Sequence, residues 1–199
     1  GKNNITNFYY YNAGGLAKMV NALGQTVKYT YDTMGNLVQV GAGANGAIDI
    51  VTYAYPASSS NCTGLLQSVT YVNGGISKSV SYTYDANSRV TAVNDWMGAS
   101  GGAHSFEYDD AGQLVKYTDI DGAYQQYTYD NAGNLATLRD YEGNTTTYGY
   151  DNLHRLVSLA APGGKNWGFS YDPVGRLLTQ TLPNGLSSQY SYDTLGRPA

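Results

Sequence analysis

The chain has 199 residues, of which 21 are tyrosine and 25 are glycine, and its formal net charge is −4. Only 13% of the residues are charged and the aromatic content is high, which favours an ordered protein over a disordered one. The 11 basic residues are spread singly, so nucleic acid is not an expected partner. No apolar run approaches the ~18 residues of a membrane span. The single cysteine, Cys62, excludes an internal disulfide framework and a multi-cysteine metal site.

The N-terminal part of the chain, residues 10–40, consists of regular repeats. Tyr10–Leu16 and Tyr31–Leu37 share a pattern of Tyr, Asp, two variable residues, Gly, one variable residue and Leu, with Tyr11 in place of the first Asp. A second turn, Asn21–Gly24, lies between them. Type I turns favour Asp or Asn first and Gly fourth, and the segments of about six residues between the turns suit strands. Each repeat is therefore predicted to be a β-hairpin.

The middle part, residues 41–107, is predicted to hold irregular hairpins with enlarged turns. The motif tyrosines are spaced by 24, 29 and 24 residues there, because long turns have been inserted. Insertions in turns leave the strand ladder untouched. The three predicted long turns are Gly41–Ala47, the Ser-rich loop 56–63 around Cys62, and 94–103 around Trp96.

The C-terminal part, residues 108–199, is the most regular. Its motif tyrosines recur every 21 residues, which is typical of a repeat array. The closing strand of each hairpin carries aromatic residues two positions apart, such as Tyr127 and Tyr129. These side chains share one face of a strand and predict aromatic ladders across the sheet. The motif tyrosines in this part are Tyr108, Tyr129, Tyr150, Tyr171 and Tyr192.

The unit Tyr-Asp-x-x-Gly-(Asn or Arg)-Leu, as in Tyr31–Leu37, Tyr129–Leu135 and Tyr171–Leu177, resembles the YD repeat of the Rhs family. The resemblance covers about Tyr10 to Arg197. Members of that family include bacterial Rhs polymorphic toxins, cocoon-forming subunits of insecticidal toxin complexes, wall-associated proteins and animal teneurins. The resemblance implies an all-β fold, in which tandem ~21-residue hairpins form a curled, spiralling antiparallel sheet that is part of a shell.

The resemblance also implies a function. In the toxins of the family the shell encloses a toxic C-terminal segment. We therefore expect residues 1–199 to be a single array and a non-catalytic structural segment of a shell that encapsulates a toxin or another effector. The expected partners are the rest of a longer chain and the encapsulated polypeptide, and the expected location is secreted or on the cell surface. Because the chain stops inside a repeat at Ala199, we expect it to be a fragment.

Two other functions are compatible with the same residues. Exposed Tyr and Trp side chains on a curved sheet suit stacking on sugars or contact with another protein. This favours a cell-surface carbohydrate-binding or adhesion module. The hairpins could equally build an extended stack or filament that has no cavity. The shape of the sheet and the face that its tyrosines occupy distinguish these alternatives.

No residue is predicted to be catalytic, to bind a cofactor or to bind a metal, and the chain is not expected to be an enzyme. The motif aspartates are interpreted as turn caps, because each is followed three residues later by Gly, Ser or His. His154 takes such a Gly position and fits left-handed backbone, whereas His104 is assigned to an enlarged turn. Asp172–Gly175 resembles the self-cleavage motif of Rhs shells, but it falls on the 21-residue frame and is interpreted as an ordinary turn.

Overall fold

The computed structural model describes residues 5–43, 49–56, 64–96 and 102–199. The chain divides into two compact units, Gly1–Ser105 and Phe106–Ala199. The regular structure described is β-strand throughout, apart from one 3₁₀ turn at Pro162–Gly164. The described strands are β1 (Asn7–Tyr10), β2 (Leu16–Val20), β3 (Thr26–Tyr31), β4 (Leu37–Gly43), β5 (Asp49–Ala54), β6 (Ser68–Asn73), β7 (Ile76–Tyr84), β8 (Val90–Asn94), β9 (Ala103–Tyr108), β10 (Leu114–Thr118), β11 (Tyr124–Tyr129), β12 (Leu135–Arg139), β13 (Thr145–Tyr150), β14 (Leu156–Ala161), β15 (Lys165–Tyr171), β16 (Leu177–Thr181) and β17 (Ser187–Gln189).

Every strand pairing in the two units is antiparallel and joins consecutive strands. In the first unit the pairing runs from β1 to β8, and β8 then pairs with the first residues of β9. In the second unit it runs from β10 to β17. The predicted all-β fold of tandem hairpins is therefore confirmed.

Neither unit has a conventional hydrophobic core in its described residues. The strands contact chiefly their neighbours along the chain, and no apolar side chain among the described residues is buried. The buried polar residue of this part of the chain is Asp172, which is 7% exposed. Because no second layer covers the apolar side chains, cross-strand contacts and hydrogen-bonded turns must supply much of the structural specificity.

The hairpins closed by the Tyr-Asp turn carry a β-bulge at the motif tyrosine. In β11 and β12, Thr128 pairs with Thr137 whereas Tyr129 pairs with Leu135, so Ala136 is an extra residue on the outgoing strand. The alternate hairpin of β12 and β13 shows no such shift. A bulge re-aims the side chains beside it. The same shift occurs at Tyr31, Tyr84, Tyr150 and Tyr171.

Two predicted turn boundaries were wrong. Gly41–Gly43 do not belong to an enlarged turn but extend β4, which pairs with β3 on one side and β5 on the other. Pairing on both sides offsets the low strand propensity of glycine. His104 does not lie in a turn either, since it is in β9 and pairs with Val93. Within the predicted long turns, residues 44–47, 57–63 (which include Cys62) and 97–101 lie outside the described residues.

Two Gly-Gly turns differ from the type I turns elsewhere. Between β6 and β7, Gly74 and Gly75 have φ of 54° and 85°, as a two-residue type I′ hairpin turn requires. Between β14 and β15, Gly163 and Gly164 have φ of 75° and 72°. The turn Ala161–Gly164 is therefore not of type I, because the third residue of a type I turn needs a negative φ.

The fourth position of the ordinary turns should tolerate asparagine better than valine. Gly122 has φ of +86°, and a Cβ added there would meet no atom within 4 Å. A substitution at this position therefore tests backbone strain without added steric crowding. A β-branched residue at this φ costs about 1–3 kcal/mol. In thermal unfolding, Gly122→Val should melt several degrees below the parent and Gly122→Asn should lie between them. Equal melting temperatures for the two variants would contradict the left-handed requirement.

Candidate functional site

The motif aspartate organises its own turn. In the turn that follows Tyr171, the Asp172 amide donates to the Arg176 carbonyl, and the Gly175 amide donates to the Asp172 carbonyl. The Asp172 Oδ1 atom accepts from the amides of Val174 at 3.0 Å and Arg176 at 2.8 Å. The turn-cap interpretation of the aspartates is therefore confirmed at this position. The same pair of bonds to Oδ1 is present at Asp32, Asp85, Asp119, Asp130, Asp140, Asp151 and Asp193.

The Asn or Arg after the motif glycine completes this cap. The Arg176 Nε atom donates to Asp172 Oδ2 at 2.6 Å, and the Asn134 side-chain amide donates to Asp130 Oδ2 at 2.9 Å. Both side chains place an N–H donor at the second carboxylate oxygen, which explains why this position holds Asn or Arg. The sequence shows that either Asn or Arg follows the motif glycine, but it does not show why.

These hydrogen bonds hold the turn carboxylates in their charged form. At Asp32, Asp130 and Asp151 the hydrogen bond from the side chain four residues later is the largest cause that lowers the pKa below its usual 3.8. At Asp85 and Asp193 the largest cause that lowers the pKa is the hydrogen bond from the backbone amide four residues later. Burial raises the pKa at Asp140 and Asp172, but their hydrogen bonds together outweigh it and the net shift is downward.

The motif tyrosine links consecutive repeats through its hydroxyl group. The Tyr171 hydroxyl donates to the carbonyl of Leu156 at 2.8 Å, and Leu156 is the motif leucine of the preceding repeat. The strand ladder does not reach that carbonyl, because the pairing of β14 with β15 stops at Ser158. The hydroxyl thus extends the hydrogen bonding past the end of the ladder. The same contact joins Tyr55 to Leu37, Tyr84 to Leu66, Tyr129 to Leu114 and Tyr192 to Leu177.

The motif arginine reaches the next repeat as well. The Arg155 guanidinium carbon lies 4.8 Å from the centre of the Tyr171 ring, and its Nη1 donates to the Asp172 carbonyl at 2.9 Å. Arg176 lies over Tyr192 in the same way, at 4.6 Å. The aromatic ladders that we predicted are thus interrupted by arginine at these rings. Motif tyrosines of adjacent repeats are two strands apart, about 10 Å, which is too far for direct ring contact.

The two histidines make pairwise contacts. His154 has φ of 62°, as its position in the turn requires, and its Nδ1 lies 3.0 Å from Asn134 Oδ1 of the preceding repeat. His104 Nε2 lies 3.6 Å from Asp95 Oδ2. Within the described residues, no three His, Cys, Asp or Glu side chains form a group that could hold a metal ion. The expectation that the chain has no catalytic, cofactor or metal site stays a prediction.

The described residues contain no helix with the length and apolar composition needed to cross a membrane.

The chain matches a known protein family. The RHS Repeat family matches residues 11–48, 108–141, 132–165 and 171–199, which together are more than half of the chain. A comparison with curated proteins found no match. The matched ranges include the turns at Asp32, Asp130, Asp151, Asp172 and Asp193 and the hydrogen-bonded tyrosines Tyr129, Tyr171 and Tyr192, but not Tyr55, Tyr84 or the turn at Asp85.

Solved structures of toxin proteins share the fold. The chain is similar to the Tc holotoxin pore of Photorhabdus luminescens with a substitution in TccC3, at 19% identity and a TM-score of 0.57. It is also similar to TcdB2-TccC3 without the hypervariable C-terminal region, at 18% identity and a TM-score of 0.55. Each alignment covers 97% of this chain and only 12% of the other. Identities this low establish the fold alone.

Loss of one tyrosine hydroxyl should weaken the contact between two repeats. Tyr171→Phe keeps the ring beneath Arg155 but removes the donor to the Leu156 carbonyl, at a cost of about 0.5–1.5 kcal/mol. Urea unfolding should show the loss. The control is Tyr150→Phe, because the Tyr150 hydroxyl has no hydrogen-bond partner in the described part of the chain. If both variants lose the same stability, the hydroxyl contact is not stabilising.

Acid should destabilise the fold through the turn carboxylates. A folded-state pKa below 3.8 means that the stabilising contribution is complete above about pH 4 and disappears as the pH falls through the lowered pKa. The melting temperature should therefore vary little between pH 7 and pH 5 and fall below pH 4. Asp151→Asn keeps an oxygen acceptor but does not titrate, so it should lose less on acidification. A melting temperature that rises on acidification would refute this account.

Proposed function

Because the chain belongs to the RHS repeat family, we propose that it is a non-catalytic structural segment of an RHS-repeat shell that encloses a polypeptide effector. In this proposal the segment is part of the wall of a longer protein. Its mechanism is containment, since a hydrogen-bonded sheet separates an interior from the surrounding solvent. The partners are the rest of that protein and the enclosed effector, and the shell acts outside the cell that makes it.

The main support for this proposal is that the motif side chains make their contacts within the sheet. The Tyr171 hydroxyl, the Asp172 carboxylate and the Arg155 guanidinium each bond to the turn or to the neighbouring repeat. A wall needs such contacts from one repeat to the next. An enzyme needs some of its acidic, basic or nucleophilic groups to be directed at a substrate. The motif residues that could supply that chemistry are used in holding the sheet together.

The absence of a buried apolar side chain in the described residues supports the same function. A sheet with no second layer is poorly suited to act as a separate globular domain, because its apolar side chains stay partly exposed on both faces. As the wall of a shell, it would have one face toward the outside and the other toward the enclosed polypeptide. Exposed apolar side chains would then contact the effector or other parts of the longer protein.

The similar solved structures support the choice of a toxin shell. They contain TccC3, once within a holotoxin pore and once without a hypervariable C-terminal region. We transfer from them the arrangement of a repeat-bearing part joined to a variable C-terminal segment. The effector of the present protein is, in this proposal, such a C-terminal segment.

Cysteine labelling on the two faces of one strand tests containment. Thr146 and Thr147 are consecutive residues of β13, so their side chains lie on opposite faces of the sheet. Each is replaced by cysteine in the longer protein, in a background otherwise free of cysteine, and treated with a polyethylene-glycol maleimide. A closed wall should allow rapid labelling at one position and strongly slowed labelling at the other. Thr145→Cys is the control, since it shares the face of Thr147.

Two further measurements separate containment from misfolding and from an open sheet. In the isolated 199-residue chain both positions should react with the bulky reagent, because both faces are open. After denaturation of the longer protein they should react at equal rates. Equal labelling in the native longer protein would contradict enclosure and would favour a filament or a surface-binding module.

A further inference from the structure

The first repeat lacks two side chains that the repeats beginning at Tyr150 and Tyr171 have. At the position where Arg155 and Arg176 lie over the next motif tyrosine, this repeat has Gly15, sixteen residues before Tyr31 just as Arg155 is sixteen before Tyr171. At the position of the turn aspartate it has Tyr11. The turn still closes, since the Tyr11 amide donates to the Gly15 carbonyl at 2.8 Å and the Gly14 amide to the Tyr11 carbonyl at 2.9 Å.

These two changes create an open groove of 530 Å³ between the first and second turns. Its aromatic walls are the rings of Tyr11 and Tyr31, whose centres are 6.2 Å apart and whose planes meet at 89°. A Cβ at Gly15 would lie 3.4 Å from the Tyr31 ring, so the missing side chain is one that would cover this ring. The Tyr11 hydroxyl is engaged elsewhere, donating to the Tyr29 carbonyl at 3.0 Å, which fixes the first wall.

The charge of the groove favours a cation. Asp32 is the charged residue of its lining, which otherwise consists of tyrosine, threonine, alanine and glycine. The Asp32 carboxylate accepts hydrogen bonds from the amides of Met34 and Asn36 and from the Asn36 side chain, which keep it ionised at neutral pH. An aromatic ring face beside a carboxylate attracts a flat cation through both the quadrupole and the charge.

We propose that this groove binds an arginine side chain supplied by another polypeptide. The second unit shows the contact that would form, because there Arg155 covers Tyr171 and donates to the carbonyl of Asp172. In the groove the incoming guanidinium covers the Tyr31 ring and donates to the Asp32 carbonyl. Arginine is preferred over lysine because a planar guanidinium both stacks on a ring and keeps its in-plane donors free. The inference is independent of whether the chain encloses an effector.

The test is a titration of the ¹⁵N-labelled 199-residue chain with N-acetyl-arginine amide, followed by NMR at the amides of Gly15 and Gly35. The expected result is a saturable shift at both. N-acetyl-citrulline amide has nearly the same shape without the charge, and it should bind at least about fivefold more weakly, as removal of a cation–π contact implies. Equal binding of the citrulline compound, or tighter binding of methyl glucoside, would overturn the proposal in favour of a neutral stacking site.

Two matched variants locate the binding. Gly15→Arg supplies a guanidinium from the chain itself, at a position with no positive φ, and should abolish the shift while leaving the fold intact. Asn144→Arg introduces an arginine at a turn of the second unit and keeps a donor to Asp140, so it should bind N-acetyl-arginine amide like the parent. If Gly15→Arg still binds with parental affinity, or if the parent shows no saturable shift, the groove is not an arginine site.

Discussion

Closure of a five-residue turn is the constraint on which the structure depends. Two backbone hydrogen bonds close it, one from the fourth amide to the first carbonyl and one from the first amide to the fifth carbonyl, and the second of these needs left-handed backbone at the fourth residue. Glycine meets this requirement without strain, and His154 meets it as an uncommon substitute. The carboxylate of Asp130 or Asp172 strengthens the turn but is not indispensable, since the turn at Tyr11 closes without one. In the hairpins that begin at a motif tyrosine this turn is accompanied by a bulge at that tyrosine, as at Tyr129 and Tyr171, and both of these tyrosines donate to the preceding repeat.

Stability in such an array is a property of neighbouring repeats rather than of a common core. Several repeats gain from the next one a tyrosine hydroxyl on a leucine carbonyl, as in Tyr192 on Leu177, and in places an arginine stack. A hydrogen bond of this kind contributes about 0.5–1.5 kcal/mol, and its effect is confined to two adjacent hairpins. This locality explains how the chain accommodates long insertions. Strand β5 stays in register with β6 from Asp49 to Ala54, and β8 stays paired with β9, although the turns beside them are long.

The sequence predicts the turns well because the information for a turn is local. Asp, Asn, Pro and Gly each restrict the backbone of a few consecutive residues, so the positions of Asp130 and Gly133 suffice. The contacts between repeats are not local in this sense. The hydroxyl of Tyr171 reaches a carbonyl fifteen residues earlier, at Leu156, and the stacking of Arg155 depends on a ring sixteen residues later. The sequence also predicts a turn wrongly at glycines such as Gly41 in β4. There, pairing with a strand on each side outweighs the low strand propensity of glycine. For the candidate site, the sequence predicts that the motif residues have structural roles, but only the structure shows which residues they contact.

Contacts between motif side chains of adjacent repeats affect how such a sheet can acquire a binding site. The Tyr171 ring and the Arg155 guanidinium contact each other across two adjacent repeats, whereas the Asp172 carboxylate is bound within its own turn. Replacement of one shared residue leaves its partner in place without that contact, as Gly15 leaves the Tyr31 ring beside Asp32 without an arginine. The vacated position retains the shape and the charge that suited the lost side chain. A repeat array can therefore generate a selective site by losing a residue, and the other repeats of the same chain indicate which chemical group the site accepts.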